Sequence, residues 1–98
     1  MTDALNIRRV VIDVDKALAM PSLIEIAQAI QRCAGVAAHN ITVTEVDQET
    51  IGTSITIEGE NMDYDELVRA IESSGAVVHS LDELVCGERI VDYVPRAR

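Results

Sequence analysis

Carboxylates near the predicted ends of strands are the side chains of this sequence that could bind a ligand. Asp13 and Asp15 end one β-branched run, and Glu45 and Asp47 end another. Because side chains two residues apart share one face of a strand, each pair can converge on one ion. Oxygen donors without a nearby soft donor favour Ca²⁺, with Mg²⁺ as the alternative. With a further pair after the fourth predicted strand, the candidate ligands are Asp13, Asp15, Glu45, Asp47, Asp82 and Glu83.

A purely solvated acidic surface is the competing interpretation of these carboxylates. The chain contains 17 Asp and Glu residues, and their spacing does not match an EF-hand loop. The sequence also lacks a Cys-x-x-Cys metal loop and a glycine-rich phosphate loop. The spacing therefore leaves open whether the strand-end acids bind a cation.

Histidine, serine and cysteine do not form a recognisable catalytic pattern. His79 is a further candidate site residue and could form an acid/base pair with Asp82 or Glu83. We nevertheless predict no enzymatic activity, because no nucleophile has a base at a recognisable spacing. Cys33 and Cys86 are predicted to be buried apolar residues, and their spacing leaves a disulfide between them open.

The first half of the chain predicts a strand, a helix and another strand. Residues Ile7 to Val14 alternate like a strand, with one face apolar. Ser22 is a suitable N-cap for a helix that Gly35 ends, and Glu25 completes a capping box. The β-branched run from Ala38 to Val46 predicts the second strand.

The second half repeats this order. Residues Thr53 to Glu58 predict a third strand, joined to the second as a hairpin by the polar segment DQETIG. The second helix is predicted from Asp63 or Tyr64 to Ser73, with Glu66 completing a capping box at Asp63. Ala76 to Ser80 is the fourth strand. For the tail, 82–94, the pattern leaves open either a short edge strand or an irregular docked segment.

The order strand, helix, strand, strand, helix, strand is typical of the α+β ferredoxin-like sandwich. We predict a single domain over residues 1–98, with a core at about 7–81 and a C-terminal extension at 82–98. The sheet has four antiparallel strands, the first and third strands are central, and both helices cover one face. The exposed second strand is an edge that could pair with another subunit. The open face is predicted to carry Arg9, Val11 and Asp13, then Thr42, Thr44 and Val46, then Ser54, Thr56 and Glu58.

Charge limits the classes of partner. The formal net charge is -9, which disfavours nucleic acid and anionic membranes as partners and favours cations. Lys16 is the single lysine, and an acidic, lysine-poor surface is typical of proteins that work at high salt concentration. The alternative is an acidic protein that works at ordinary salt concentration. No apolar run is long enough to cross a membrane and no signal peptide is recognisable, so we expect a cytoplasmic protein.

Three segments carry a family resemblance: VVIDVDK, ITVTEVDQET, and the long stretch from ITIEGENMDYDELVRAIESSG through AVVHSLDELVCGERIV. They resemble the archaeal family known as domain of unknown function 211, from about Ile7 to Val91, and His79 to Glu83 is the most specific part. The resemblance implies a ferredoxin-like fold, a closed homo-oligomeric ring and Ca²⁺ binding, without an established enzyme activity. The sequence departs from the family in carrying Asp15 as well as Asp13, and in its lysine content. The positions that match the family's motifs are Asp13, Asn40, Glu45, Asp47, His79, Asp82 and Glu83.

We therefore expect a non-enzymatic protein that assembles with itself into rings, which could stack into tubes or filaments, and binds calcium through strand-end carboxylates. Divalent ions at the contacts would offset the repulsion between subunits of like charge. The alternative is a small-molecule-sensing regulatory module of the same fold. The segment DKALAMP between the first strand and helix lacks the glycine expected of a ligand-binding turn, which weighs against that alternative.

Overall fold

The computed structural model describes residues 4–96 and forms a ferredoxin-like α+β sandwich. The elements are β1 (Ile7–Ala17), α1 (Leu23–Gln31), β2 (Val36–Val46), β3 (Thr50–Met62), α2 (Tyr64–Ser73) and β4 (Val77–Cys86). The strands pair antiparallel in the order β2-β3-β1-β4, so the first and third strands are central, as predicted.

Both helices begin at the residues that the sequence indicates. At α1 the Glu25 amide donates to Ser22 Oγ over 3.1 Å and the Ser22 amide donates to Glu25 Oε1 over 3.0 Å, which confirms the capping box. At α2 the Asp63 carboxylate accepts from two amides of the first turn. The second predicted box is wrong, because the Glu66 carboxylate turns toward the end of α1 and accepts from the amide of Ala34 over 3.3 Å.

The core lies between the helices and one face of the sheet. Alternate residues of β1 and β3 face the helices, which confirms that both helices cover the same face. Burying each of these aliphatic side chains contributes roughly 1.5–3 kcal/mol. The residues without measurable exposure include Val10, Ile12, Val14, Ile26, Ile30, Ile55, Ile57, Leu67 and Ile71.

All four strands extend beyond their predicted bounds, β3 and β4 the farthest. β3 begins at Thr50 and ends at Met62. β4 continues to Cys86, because its backbone keeps pairing with β1 as far as Ile7. Asp82 and Glu83, assigned from the sequence to the C-terminal extension, are therefore strand residues. The chain after Cys86 is irregular through residue 96, so this part of the tail is not an edge strand.

Gly35 and Gly59 allow the start of β2 to approach the end of β3 closely. A Cβ at Gly59 would lie 1.9 Å from the carbonyl oxygen of Gly35, and a Cβ at Gly35 would lie 2.1 Å from that of Glu60. Gly35 also has a φ of +82°, a conformation that favours glycine. A side chain at either position would therefore displace backbone atoms.

Neither helix in the described range 4–96 has the length and apolar character required to cross a bilayer.

Candidate functional site

An open depression lies on the sheet face away from the helices, at the end of the sheet where β1 ends. Its volume is about 270 Å³. All four strands contribute to it, and its polar groups are carboxylates, a hydroxyl and an imidazole. The lining residues are Asp13, Asp15, Thr44, Glu45, Gly52 and His79.

A β-bulge in β2 places Glu45 in this depression. Val43 pairs with Thr53 but Glu45 pairs with Gly52, so Thr44 is an additional residue in the ladder. Gly52 pairs on its other side with Asp15 of β1. Because paired residues share a face of the sheet, Glu45 and Asp15 stand on either side of Gly52.

The same bulge corrects the predicted open face. The sequence placed Thr42, Thr44 and Val46 there by strict alternation. The additional residue shifts the alternation, so Val46 pairs with Ile51, which pairs in turn with the buried Lys16 on the helix-facing side. Val46 therefore belongs to the helix-facing set and Glu45 takes its place on the open face.

Gly52 forms the floor between the polar side chains. An ideal Cβ built there would lie 3.5 Å from Glu45 Cβ, 3.6 Å from Asp15 Oδ1 and 3.7 Å from Thr44 Oγ1. Two oxygen atoms thus approach one point that the missing side chain leaves free. Thr44 and Gly52 were not predicted as site residues, because their role depends on the bulge.

His79 enters the depression through an irregularity in β4. Ser80 pairs with Asp13 and Val78 with Val14, so His79 has no partner in the ladder. Its Nδ1 lies 3.6 Å from Asp13 Oδ2. Both side chains are exposed to solvent, so the contact is a surface contact that requires a protonated imidazole to become an ion pair.

Three of the six predicted ligands lie elsewhere. Asp47 is in the β2–β3 turn, where its Oδ1 accepts from the amide of Gln48 over 2.8 Å. Asp82 accepts from the Ser80 hydroxyl over 2.8 Å. The structure thus brings together Asp13, Asp15 and Glu45, with His79 beside them.

Glu83 belongs to a second polar cluster on the same face, centred on Arg9. The Arg9 guanidinium donates to Glu58 Oε2 over 2.7 Å and to Asp92 Oδ1 over 3.0 Å, and it lies 3.5 Å from Glu83 Oε1. The hydrogen bonds to Glu58 and Asp92 raise the pKa of Arg9 above its ordinary value. Sequence alternation placed Arg9 and Glu58 on one face, but the contact with Asp92 depends on the path of the tail.

The depression is negatively charged, but it offers too few ligands to coordinate a metal ion fully. Asp15 and Glu45 form no ion pair with any residue in the range 4–96. Within that range, no three His, Cys, Asp or Glu side chains are close enough to hold a metal ion. Calcium takes roughly 6–8 oxygen ligands, so one chain supplies part of a coordination sphere.

The cysteines are separate from this site. Cys33 is buried beside both helices and Cys86 is half-buried at the end of β4, and both are free thiols. Burial, with a smaller contribution from the charge of Glu66, raises the pKa of the Cys33 thiol.

Fold and site together define a small ferredoxin-like α+β sandwich that has one open sheet face and a carboxylate-lined depression on it. The chain belongs to the family DUF211, described as uncharacterized ArCR, which it matches over residues 8–98. It is also similar to an uncharacterized protein of Methanocaldococcus jannaschii, with 41% identity over 89 residues, which cover 91% of each chain.

Proposed function

We propose that this chain is a non-enzymatic protein that assembles with itself edge to edge into a closed ring, and that its depression contributes carboxylates to calcium sites in the assembly. Magnesium is the alternative ion. The observation that supports the assembly most directly is a set of exposed apolar side chains on both edge strands, on the same side of the sheet.

Exposed apolar residues of both edges face the helix side, whereas Val77 of β4, which pairs with Asp15, faces the open side. On β2, Val43 is 40% exposed and pairs with the buried Thr53. On β4, Leu81 and Leu84 are 38% and 47% exposed and pair with buried residues of β1. If β4 of one copy pairs with β2 of the next, these side chains meet at the interface between the two copies, here called the joint. Burying the exposed part of each contributes on the order of 1 kcal/mol.

Strand direction permits this pairing between identical copies. β2, β3, β1 and β4 alternate in direction across the sheet, so the two edge strands are antiparallel to each other. Copies placed side by side in one orientation therefore continue the antiparallel ladder. Because the contact joins two different edges, it repeats head to tail and closes as a ring when the rotation per subunit allows.

The edges lack the lysine that often protects exposed strands. Lys16 is the only lysine in the sequence, and it lies buried in the central strand β1. The register shifts in β2 restrict regular pairing to the six residues from Ala38 to Val43. Six residues are enough for specific strand pairing between two copies. The short length also limits how far that pairing can continue along the strands.

The cation sites follow from the position of the depression. Glu45 lies on the edge strand β2, so an adjacent copy comes within reach of the unpaired carboxylates. Oxygen ligands from that copy would complete a coordination sphere that one chain leaves partial. A divalent ion there also offsets repulsion between subunits that each carry a net charge of -9.

Sedimentation velocity in EGTA and in millimolar CaCl₂ tests both parts of the proposal. Val43→Lys places a charge at the joint and should shift the assembly to monomers, whereas Ile24→Lys, a change at an exposed apolar residue on α1, should not. Assembly of both variants like the parent chain would contradict the edge-to-edge joint.

A second pair of variants tests the proposed calcium site. The double variant Asp15→Asn/Glu45→Gln should lose the calcium dependence of assembly and the calcium heat in calorimetry. Asp47→Asn is the matched control, because asparagine retains the oxygen that accepts from Gln48. No calcium heat with the parent chain, or equal loss in both variants, would contradict the site.

A further inference from the structure

A groove between the two helices, here called the helix groove, lies on the side of the molecule away from the open sheet face. Its volume is about 390 Å³. On each helix the lining residues are spaced by three or four positions, so they share one helix face. They are Ala29, Arg32 and Cys33 in and just after α1, and Glu66, Arg69, Ala70 and Ser73 in α2.

Two arginines line the helix groove, one from each helix. Arg32 is the C-cap residue of α1 and Arg69 lies within α2, and both are exposed. Within the described part of the chain, neither arginine forms an ion pair. The chain has 17 acidic and 8 basic residues, so a shortage of carboxylates does not explain why both guanidinium groups lack a partner.

Two acidic neighbours of Arg69 on α2 bind backbone amides instead. Glu66 and Glu72 lie three residues before and after Arg69, a spacing at which opposite charges can pair on a helix. The Glu66 carboxylate accepts from the amide of Ala34 over 3.3 Å, and the Glu72 carboxylate accepts from the amide of Val78 over 3.3 Å. Both carboxylates therefore cap backbone groups and leave the guanidinium group of Arg69 available to a ligand.

The helix groove carries a local excess of positive charge. Two guanidinium groups and one carboxylate, that of Glu66, line it. The net charge of -9 belongs to the whole chain, and salt screens exposed charges beyond about 10 Å at 0.1 M ionic strength. An anion in the helix groove therefore interacts mainly with the two arginines.

The arginine side chains indicate the chemistry of the ligand. A guanidinium group donates through a planar fork of N–H groups that matches the oxygen atoms of a carboxylate or a phosphate. A carboxylate has two oxygens in one plane, which one fork can occupy. A phosphate group has oxygens in several directions, so it can accept from forks on both helices at once.

A smaller depression adjoins the helix groove. Its volume is about 250 Å³, and it shares Ala29, Arg32 and Ser73 with the groove. Its other lining residues are Glu25, Gln28 and Ser74. Carboxylate, amide and hydroxyl groups can form hydrogen bonds with the hydroxyl groups of a ligand. Among the described residues no aromatic side chain lines either space, so a nucleobase would find no stacking surface.

We propose that Arg32 and Arg69 bind the phosphate group of a small phosphomonoester, and that the hydroxylated part of this ligand lies in the adjoining depression beside Gln28. A sugar phosphate fits this class better than a nucleotide, because no aromatic residue is present to stack on a base. The site is separate from the carboxylate-lined depression and lies within one chain. It therefore does not depend on the proposed assembly or on calcium.

Isothermal titration calorimetry with glucose 6-phosphate as the probe tests the site. The titration is done in EGTA, so that divalent ions held by the acidic residues do not bind the phosphate. We expect saturable binding by the parent chain, and a rise in Kd of at least about tenfold in Arg32→Gln/Arg69→Gln. No saturable binding by the parent chain overturns the proposal.

Arg89→Gln/Arg96→Gln is the matched control. It removes the same charge from two exposed arginines of the tail. We expect its Kd to change less than about twofold, because exposed charges away from the site are screened by salt. A Kd that rises equally in the two double variants would show a general charge effect and overturn the site.

Inorganic phosphate and glucose, titrated separately, distinguish the two parts of the ligand. We expect glucose 6-phosphate to bind about tenfold more tightly than inorganic phosphate, and glucose to bind far more weakly than either. Equal affinity for the two phosphates would assign the groove to free phosphate and overturn the role of the adjoining depression. Glucose binding as tightly as its phosphate would overturn the role of the arginines.

Arginine labelling with phenylglyoxal tests the parent chain without a substitution. Glucose 6-phosphate should slow the labelling of Arg32 and Arg69, measured residue by residue by mass spectrometry, and leave the labelling of Arg89 and Arg96 unchanged. Unchanged labelling of Arg32 and Arg69 at a saturating concentration of the probe would overturn the proposal.

Discussion

The substitution Gly52→Ala should separate cation binding from stability. The new methyl group would lie 3.5–3.7 Å from its nearest neighbours, which is ordinary contact, and Gly52 does not have a positive φ. Alanine also restricts the unfolded chain, so we expect the free energy of unfolding to rise by about 0.5–1 kcal/mol. For a domain of this size, that corresponds to an increase in Tm of about 2–8 °C.

The same methyl group occupies the floor of the depression beside Asp15 Oδ1 and Thr44 Oγ1. Calcium must approach its oxygen ligands to about 2.3–2.6 Å, so the space that an ion needs is reduced. We expect calcium affinity in the assembled protein to fall at least about tenfold, or about 1.4 kcal/mol. Isothermal titration calorimetry measures the affinity, and thermal unfolding in EGTA measures the stability.

Gly59→Ala is the control, because there the added Cβ would lie 1.9 Å from the carbonyl oxygen of Gly35. We expect it to lower the free energy of unfolding by about 3 kcal/mol. If Gly52→Ala destabilises the fold as strongly as Gly59→Ala, the backbone around Gly52 has no room for a Cβ. If it binds calcium like the parent chain, the ion does not use this depression.

Three further predictions concern stability. Ser22→Ala removes the N-cap of α1 and should cost about 1 kcal/mol in urea unfolding, while Ser22→Thr should cost less. Thr53→Val removes a buried hydroxyl that donates to the carbonyl of Val14 over 2.7 Å, and should cost on the order of 1 kcal/mol by the same assay. Burial raises the pKa of Cys33, so the folded chain keeps this proton to higher pH than the unfolded chain. The free energy of unfolding should therefore fall as pH rises above about 8.5, and Cys33→Ala should flatten that slope; an unchanged slope would contradict the assignment.

The fold could be predicted from the sequence because its local signals agree with one another. Val10, Ile12 and Val14 alternate on a strand, and Ser22 with Glu25 defines the start of α1 through contacts within one turn. These signals depend only on residues that are close to one another in the sequence. The end of β4 was misjudged because Asp82 and Glu83 interrupt the apolar pattern, whereas pairing with β1 keeps them in the ladder.

The candidate site could be predicted only in part. Asp13 and Asp15 were identified correctly as neighbours on one face, since two-residue spacing on a regular strand fixes their direction. The pairing of Glu45 with Asp47 was wrong, because β2 ends at Val46 and Asp47 belongs to the turn before β3. The bulge at Thr44, which puts Glu45 on the open face, depends on how β2 pairs with β3. A register shift leaves no clear mark in the sequence of a single strand.

The buried position of Lys16 limits how reagents and enzymes that modify lysine amines can react with the folded chain. Its Nζ donates to the carbonyls of Ala17 and Leu18 over 2.7 and 3.1 Å, and the residue is only 6% exposed. Acylating reagents, and enzymes that acetylate or methylate lysine, therefore have no accessible lysine side chain on the folded protein. Modification at position 16 would require the end of β1 to open, so its rate reports unfolding of the central strand at one residue.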